Sequence, residues 1–445
     1  MTECTTDGIT FSSQGRRQVT ADFCGGDISS DAGVILLREA ERGLGLIKRL
    51  SDAINDPRDP ARITHEQGTL LKQRVLAIAL GYEDLNDHAS LRNDTLLKLG
   101  AGATDVMGSS PTLCRLENRV DRASMWAMAA VLVDTFIQSF GKKVPRRLIL
   151  DFDATDDPTH GRQEGCFFHG YYDQYCFLPL YVFCGDKLLV SYLRPSNIDA
   201  ARHTRIILAL LVKRLRATWP KVQIVIRADS GFCRKRMLRW CERHNVNYIV
   251  GLARNSRIES LAEPLMLKAA QKYEKTRKKQ RLFGDIQYAA NTWDRTRRVI
   301  AKAEHMEAGP NPRFIVTNLK GDAKELYDTI YCVRGEMENR IKEQQLGLFA
   351  DRTSCHKFVA NQFRVLLSAA AYVLIEHIRS TALQGTALAC AQVTRIRLEL
   401  FKIGARVITS VRRIVIHLAT ACPAQDIFKL AASRLMAACT SYSSS

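Results

Sequence analysis

The stretch RRLILDFDATDDPTHGRQEG, Arg146 to Gly165, decides how the rest of the chain is read. Leu148 to Thr155 alternates apolar and polar residues and is rich in strand formers. A strand has a side-chain period of two, so Asp151 and Asp153 leave the same face. Two carboxylates on one strand face are expensive to bury without a cation or a network of donors. The stretch therefore hints at a metal site. The competing reading is an acidic strand end entering a turn at Asp156 to Pro158.

Two extended segments follow, CFFHGYY and PLYVFC, and Gly185-Asp186 supplies a hairpin turn into KLLVSYL. Asp199 to Trp219 reads as a helix with Ile206, Ile207, Leu210, Leu211 and Leu215 on its inner side. After Pro220, QIVIRADSGF is a short apolar strand ending at Asp229, and carboxylates at the C-terminal end of such a strand sit where open α/β sheets place ligands. A basic helix, Arg234 to His244, and a further strand from Asn247 complete the series. Strand, strand, strand, helix, strand, helix is the order of an RNase H-like core with its first and fourth strands side by side. That order brings Asp153 and Asp229 together. The fold class is thus mixed α/β.

A third acidic residue comes from DAKELYDTIYCVRGEMENRIKEQQ, Asp322 to Gln345. Leu326, Ile330, Val333, Met337 and Ile341 recur at steps of three and four and predict one apolar stripe along a helix. Tyr331, Arg334, Glu338 and Lys342 have the same spacing and project from another side. Taken alone, Arg334, Glu338 and Lys342 also suit ordinary ion pairs on a helix surface.

Across 445 residues, two or three domains are expected. The formal charge of +19 favours a polyanionic partner, with DNA or RNA first. The longest apolar runs, Ala123 to Val133 and Val365 to Ile375, fall short of the ~20 residues of a spanning helix and read as buried helices. No basic start followed by an apolar block marks the N-terminus as a secretory signal, so a cytoplasmic, membrane-free protein is expected. Thirteen cysteines without a C-x-x-C pair point to reduced and mostly buried thiols rather than a zinc ribbon or a disulfide framework.

The organisation expected is a mainly helical region over 1–147, to which the resemblance given below assigns the binding of DNA ends, a core over 148–254 and 320–383, a β-rich basic insertion over 255–319, and an α/β extension over 384–445. Within the first region, Ser29 or Ser30 can cap a helix bearing Val34, Leu37, Ala40 and Leu44, and a second helical pattern runs from Gln67 to Leu80. Ser109 to Arg122 places Arg115, Arg119 and Arg122 at helical spacing, either as a recognition helix or as a solvated basic face. In the insertion, Gln271 to Ile300 carries nine basic residues against three acidic ones. Lys278, Lys279, Arg281, Arg295, Arg297 and Arg298 form a candidate backbone-binding surface, interleaved with aromatic residues that can stack on bases. In the extension, a hairpin after Ile396 is expected to turn Arg397, Lys402, Arg406, Arg412 and Arg413 toward solvent. SYSSS reads as a frayed tail.

Three carboxylates on a strand, a strand end and a helix are the minimum for two Mg²⁺ ions around a phosphodiester. The pieces LDFDAT, RADSGF and YCVRGEMENRIKE resemble the three acidic motifs of DDE insertion-sequence transposases, in the branch whose last motif runs Tyr, two residues, Arg, three residues, Glu, six residues, Lys. The strings DPTHGRQEG and RG..EN.IKE look closest to the thirteen-eighty insertion-sequence family. Tyr331, Arg334 and Glu338 match the spacing. The final position is Gln345, and the nearest lysine, Lys342, lies one turn earlier.

The resemblance implies Asp153, Asp229 and Glu338 as the catalytic and metal-binding triad, with Asp151 as the alternative first Asp. It further implies that Tyr331 and Arg334 contact phosphate, that Lys342 has a supporting role, and that Trp293 stacks on bases. Its expected activity is cleavage at element ends with two Mg²⁺ ions, for which Mn²⁺ can substitute, and joining of 3′-hydroxyls to target DNA by a homodimer in a prokaryotic cell. Two alternatives are a nuclease without strand transfer and an inactive DNA-binding regulator.

Overall fold

The computed structural model describes residues 8–442. The expected tail SYSSS lies largely outside them. The chain divides into two compact units. One comprises the residues up to Arg119, Gly347–Phe349 and the stretch from Ala370; the other comprises Val120–Leu346 and Ala350–Ala369. The N-terminal region and the C-terminal extension, expected as separate regions, thus share one unit. The expected boundary near 147 lies instead at Arg119.

The second unit is built on a mixed, nine-stranded sheet. Its strands are β1 (Arg147–Ala154), β2 (Leu180–Cys184), β3 (Lys187–Tyr192), β4 (Gln223–Ala228), β5 (Asn247–Leu252), β6 (Gln280–Tyr288), β7 (Arg297–Met306) and β8 (Arg313–Thr317), with the short Gly309–Pro310 paired to β7. They lie in the order β6-β7-β8-β5-β4-β1-β2-β3. The first and fourth strands are neighbours and parallel, with Ala228 opposite Phe152. The parallel pairs β1, β4 and β5 are buried and almost continuously apolar, as strands covered on both faces must be. Helices α1 (Thr204–Thr218) and α2 (Lys235–Arg243) supply the crossovers on the side of Leu208, Leu211, Leu215, Leu238 and Cys241.

Four sequence expectations change here. The segment 255–319 is continuous with the core sheet: after the long helix α3 (Ser256–Thr276), β8 pairs with β5 and carries β7 and β6 outward. In α1, Ile206 and Leu210 are about half exposed, while Leu208 and Val212 take the inner positions. The segment 322–345 is helical but not one α-helix. It passes through a π-helical stretch at Leu326–Tyr331 and a 3₁₀ turn at Cys332–Arg334 before the α-helix Gly335–Lys342. The change of phase leaves Val333 39% exposed while Leu326, Met337 and Ile341 stay buried. Cysteines are the fourth: among the described residues only Cys176, Cys241 and Cys439 are buried, where most were expected to be.

In the first unit, the helices Val34–Leu44, Gln67–Leu80 and Thr95–Ala101 pack on one another, Val34–Leu44 also packs with Gln425–Tyr442, and the hairpin Ala405–Thr409/Ile414–Leu418 pairs with Ile28–Ser29. Neither Ser29 nor Ser30 caps the first helix; Gly33 does, without a side-chain bond. A Cβ there would stand 2.1 Å from the Leu400 carbonyl oxygen, and the Gly33 N–H donates to Phe401 at 3.1 Å. Only glycine permits that approach. The arginine series at 109–122 is broken, because one helix ends at Arg119 and Asp121 caps the next. Arg119 donates to Gln67 at 2.9 Å rather than facing a groove. Arg397 likewise turns inward and donates to the carbonyls of Ala79 and Gly347.

One described helix, Phe358–Thr381, is long and apolar enough to cross a membrane, and 83% of its apolar window is buried in the protein. It reads as a core helix.

The first unit also buries an ion pair. Arg74 meets Glu117 at 3.1 Å with both side chains at most 1% exposed. His88 beside them is held neutral, its pKa pulled down to about 3 by burial and by Arg74. Glu117→Ala strands a buried guanidinium and should destabilise this unit by about 3–5 kcal/mol, whereas Arg74→Met with Glu117→Leu should recover most of it. Chemical denaturation of the three variants checks this.

Candidate active site

Three backbone segments converge at the C-terminal end of β1. Continuing the β1–β4 register by one residue sets Asp229 beside Asp153. Asp229 ends β4 and caps a short 3₁₀ turn, its Oδ1 accepting from the Gly231 N–H at 2.8 Å. The third segment carries Tyr331, Arg334 and Glu338.

What anchors that segment is a residue the sequence reading passed over. Arg227 is opposite Asp151 in the parallel register, is 6% exposed, and donates to both oxygens of Asp151, one of them through Nη2 at 2.7 Å. Its Nη1 donates to the carbonyl of Ile330, inside the π-helical stretch. One guanidinium therefore ties β1, β4 and the Glu338 segment together. A buried arginine requires such partners. The signal was present in RADSGF: a charge within an apolar strand needs a carboxylate at matching register. Asp151, the alternative first Asp, has both oxygens engaged in this pair, and burial pushes its pKa up against the pull of Arg227.

Asp153 is held differently. Its Oδ2 accepts from Arg334 Nη1 at 3.2 Å and its Oδ1 from the Ala154 N–H at 3.0 Å. Arg334 Nη2 donates to Glu338 Oε1 at 2.9 Å, so one guanidinium bridges the strand carboxylate and the helix carboxylate. Burial pushes the Asp153 pKa up to about 7; Arg334 opposes the rise, and the charges of Asp229 and Glu338 add to it. Burial works against the charge of Arg334, but Asp153, Tyr331, Glu338 and Asp229 together hold it firmly protonated.

Asp153, Arg334 and Glu338 are thus in direct contact, with Asp229 close enough for its charge to be felt. Among the described residues, no three His, Cys, Asp or Glu side chains stand in a metal-holding group. Arg334 supplies the countercharge.

Tyr331 reaches the same place. A Cβ on Gly251 of β5 would lie 2.8 Å from the Tyr331 hydroxyl, 2.8 Å from the Ser230 nitrogen and 3.1 Å from the Asp229 carbonyl carbon. Gly251 is a second residue that sequence reading missed, and its lack of a side chain lets these groups close in. Burial raises the Tyr331 pKa. Lys342 is exposed one turn beyond Glu338. Gln345, at the position of the motif lysine, donates instead to the Asp156 carbonyl at 2.9 Å, and Gln344 donates to Ser191 on β3 at 2.9 Å.

The expected DNA surface on 271–300 is largely committed within the protein. Arg297 is buried, bonded to Glu242 at 2.7 Å and Asp294 at 3.0 Å, and lies over the Trp293 ring. Arg298 pairs with Asp285, Lys279 with Glu304, and Arg281 with Asp328. Trp293 is half-buried against Tyr288. Lys278 and Arg295 are exposed, Arg295 at 3.7 Å from Glu242.

A search of curated proteins finds no match. Among solved structures, the chain is similar to a piggyBac transposase synaptic complex with hairpin DNA, at 10% identity and a TM-score of 0.42, over 82% of this chain and 79% of that one. The profile of the family described as "Transposase DDE domain group 1" matches residues 11–440. With almost the whole chain matched, this protein belongs to the DDE domain group 1 family of transposases.

Proposed function

We propose that the chain is a DNA transposase of the thirteen-eighty insertion-sequence type, with an RNase H-like core in which Asp153, Asp229 and Glu338 form the catalytic triad. It binds the ends of its element as a homodimer, nicks them and joins the 3′-hydroxyls to target DNA. The observation that carries the reading is the meeting of Asp153 and Glu338 on Arg334 beside Asp229, within a chain matched by a DDE transposase family along its length. The side-by-side parallel β1 and β4 support the core assignment.

The donor chemistry fits a hard cation: all three groups offer carboxylate oxygens, and the proton affinity of Asp153 is raised partly by its acidic neighbours. Asp153, Asp229 and Glu338 would hold two Mg²⁺ ions, or Mn²⁺ in their place, which supply an activated water or 3′-hydroxyl and stabilisation of the leaving oxygen. Arg334 keeps the carboxylates neutralised in their absence. Once released from Asp153 and Glu338, its planar fork is suited to a phosphate oxygen at the scissile bond. The Tyr331 hydroxyl, held by burial in its protonated form, donates to the same phosphate. Asp151 is a positioning residue, because its pairing with Arg227 fixes β1 against β4.

Glu338→Ala should lower Mg²⁺-dependent nicking of element-end DNA by about a thousandfold, on the order of removing a preorganised charge-stabilising group. End binding, measured by mobility shift, should survive. Retained nicking removes Glu338 from the triad.

Asp153→Asn and Asp151→Asn should separate the two aspartates. The first should lose nicking without loss of melting temperature; the second should melt lower, because it leaves Arg227 without its carboxylate.

A pH test follows from the raised pKa of Asp153. The folded state holds a proton on Asp153 that the unfolded state releases near pH 4, so stability falls as pH rises toward about 7. Without divalent ions, Asp153→Asn should therefore raise the melting temperature more at pH 8 than at pH 5. An equal gain at both pH values contradicts the assignment.

A further inference from the structure

A two-stranded ribbon, Phe167–His169 paired with Gln174–Phe177, leaves four large rings uncovered. Tyr171 is 85% exposed, Tyr175 60%, Phe168 51% and Phe167 42%. Single exposed apolar residues are ordinary, but Phe168 and Tyr175 on one face of a short ribbon with Tyr171 on its turn mark a surface with a partner, while Phe167 leaves the other face. Phe168 and Tyr175 are directly opposite in the register, their rings 5.6 Å apart and at 70°. Tyr171 stands on the turn, edge to face with Tyr172 at 5.0 Å.

The ribbon grows out of the segment that follows Asp153. Asp157–Pro158 pairs with its second strand, and Gln174 Nε2 donates to Asp156 Oδ2 at 2.6 Å. Burial raises the proton affinity of the Tyr172 hydroxyl, with Asp156 and Asp153 contributing. The turn therefore lies within electrostatic reach of the first carboxylate of the site.

We propose that this ribbon is a stacking platform for unpaired bases of the DNA end whose backbone is held at Asp153, Asp229 and Glu338. The inference rests on the transposase reading. Flat rings match the faces of bases, which a duplex hides and an opened end presents. The ribbon and its approach carry Arg162 against Glu164 and Asp173, so no local excess of positive charge is present for phosphates. What it offers is ring faces. A chain with a formal charge of +19 attracts the polyanion to which those bases belong. Trp293, expected to stack on bases, already packs against Tyr288 and Arg297.

The test is fluorescence anisotropy on the full chain with two labelled probes, an oligothymidine of about eight nucleotides and an abasic strand of equal length. The wild type should bind the base-bearing strand about tenfold more tightly. Phe168→Ala with Tyr175→Ala should bring the two affinities to within about twofold and leave abasic binding unchanged, whereas Tyr175→Trp should keep the preference. Equal affinities in the wild type, or a preference that survives the double substitution, overturn the proposal. If the double variant melts early, Tyr171→Ala, on the turn, serves in its place under the same criteria. Mg²⁺-dependent nicking of element ends is scored separately. Nicking without base preference removes the platform and leaves the transposase reading, whereas base preference without nicking overturns the transposase reading and with it the placing of the platform at a DNA end.

Discussion

The sheet-bearing unit depends on one buried guanidinium. Arg227 lies in the middle of the sheet, where its charge is intolerable without acceptors, and each of its three nitrogens donates, two to Asp151 on the first strand and one to the Ile330 carbonyl on the helical segment. The consequence is positional. With Asp151 pinned, the strand period puts Asp153 two residues further along the same face, at the sheet's open end. With Ile330 pinned, Arg334 and Glu338 follow one and two turns later and arrive at that same end.

The two arginines near the site solve different problems. Arg227 is sealed, paired bidentately and out of reach of solvent, which suits a structural joint. Arg334 spans two carboxylates that other charges can also satisfy, and Glu338 is half exposed. A cluster of Asp153, Asp229 and Glu338 without a countercharge would repel itself, and the raised pKa of Asp153 records that repulsion on top of burial. Arg334 relieves part of that repulsion by donating to Asp153 and to Glu338 at once.

Much of this was legible in the sequence because it rests on periodicity. The alternation in LILDFDA put Asp151 and Asp153 on one face, and the order of elements set β1 beside β4. What was lost depended on partners far away in the chain. The basic surplus of 271–300 looked like a surface because a charge count cannot see Glu242, to which Arg297 is bonded, nor Glu304 and Asp328. Arg397 was assigned to solvent for the same reason, although carbonyls from the first helices and from Gly347 take its donors. The apolar stripe of 322–345 failed at Val333 because a spacing rule assumes one helical pitch throughout. The insertion was recognised as strand-rich, but no local pattern shows that β8 joins the core at β5.

The π-helical stretch at Leu326–Tyr331 has a further consequence. A widened turn of this kind accommodates a surplus residue relative to an α-helix, which lets the carbonyl of Ile330 reach Arg227. Deleting one residue between Leu326 and Ile330 would let the turn close to ordinary α geometry, draw the Ile330 carbonyl back into the helix and leave a buried donor of Arg227 without its acceptor. Length in this stretch is therefore under tighter constraint than identity, because a single missing codon removes a backbone acceptor that no change of side chain supplies.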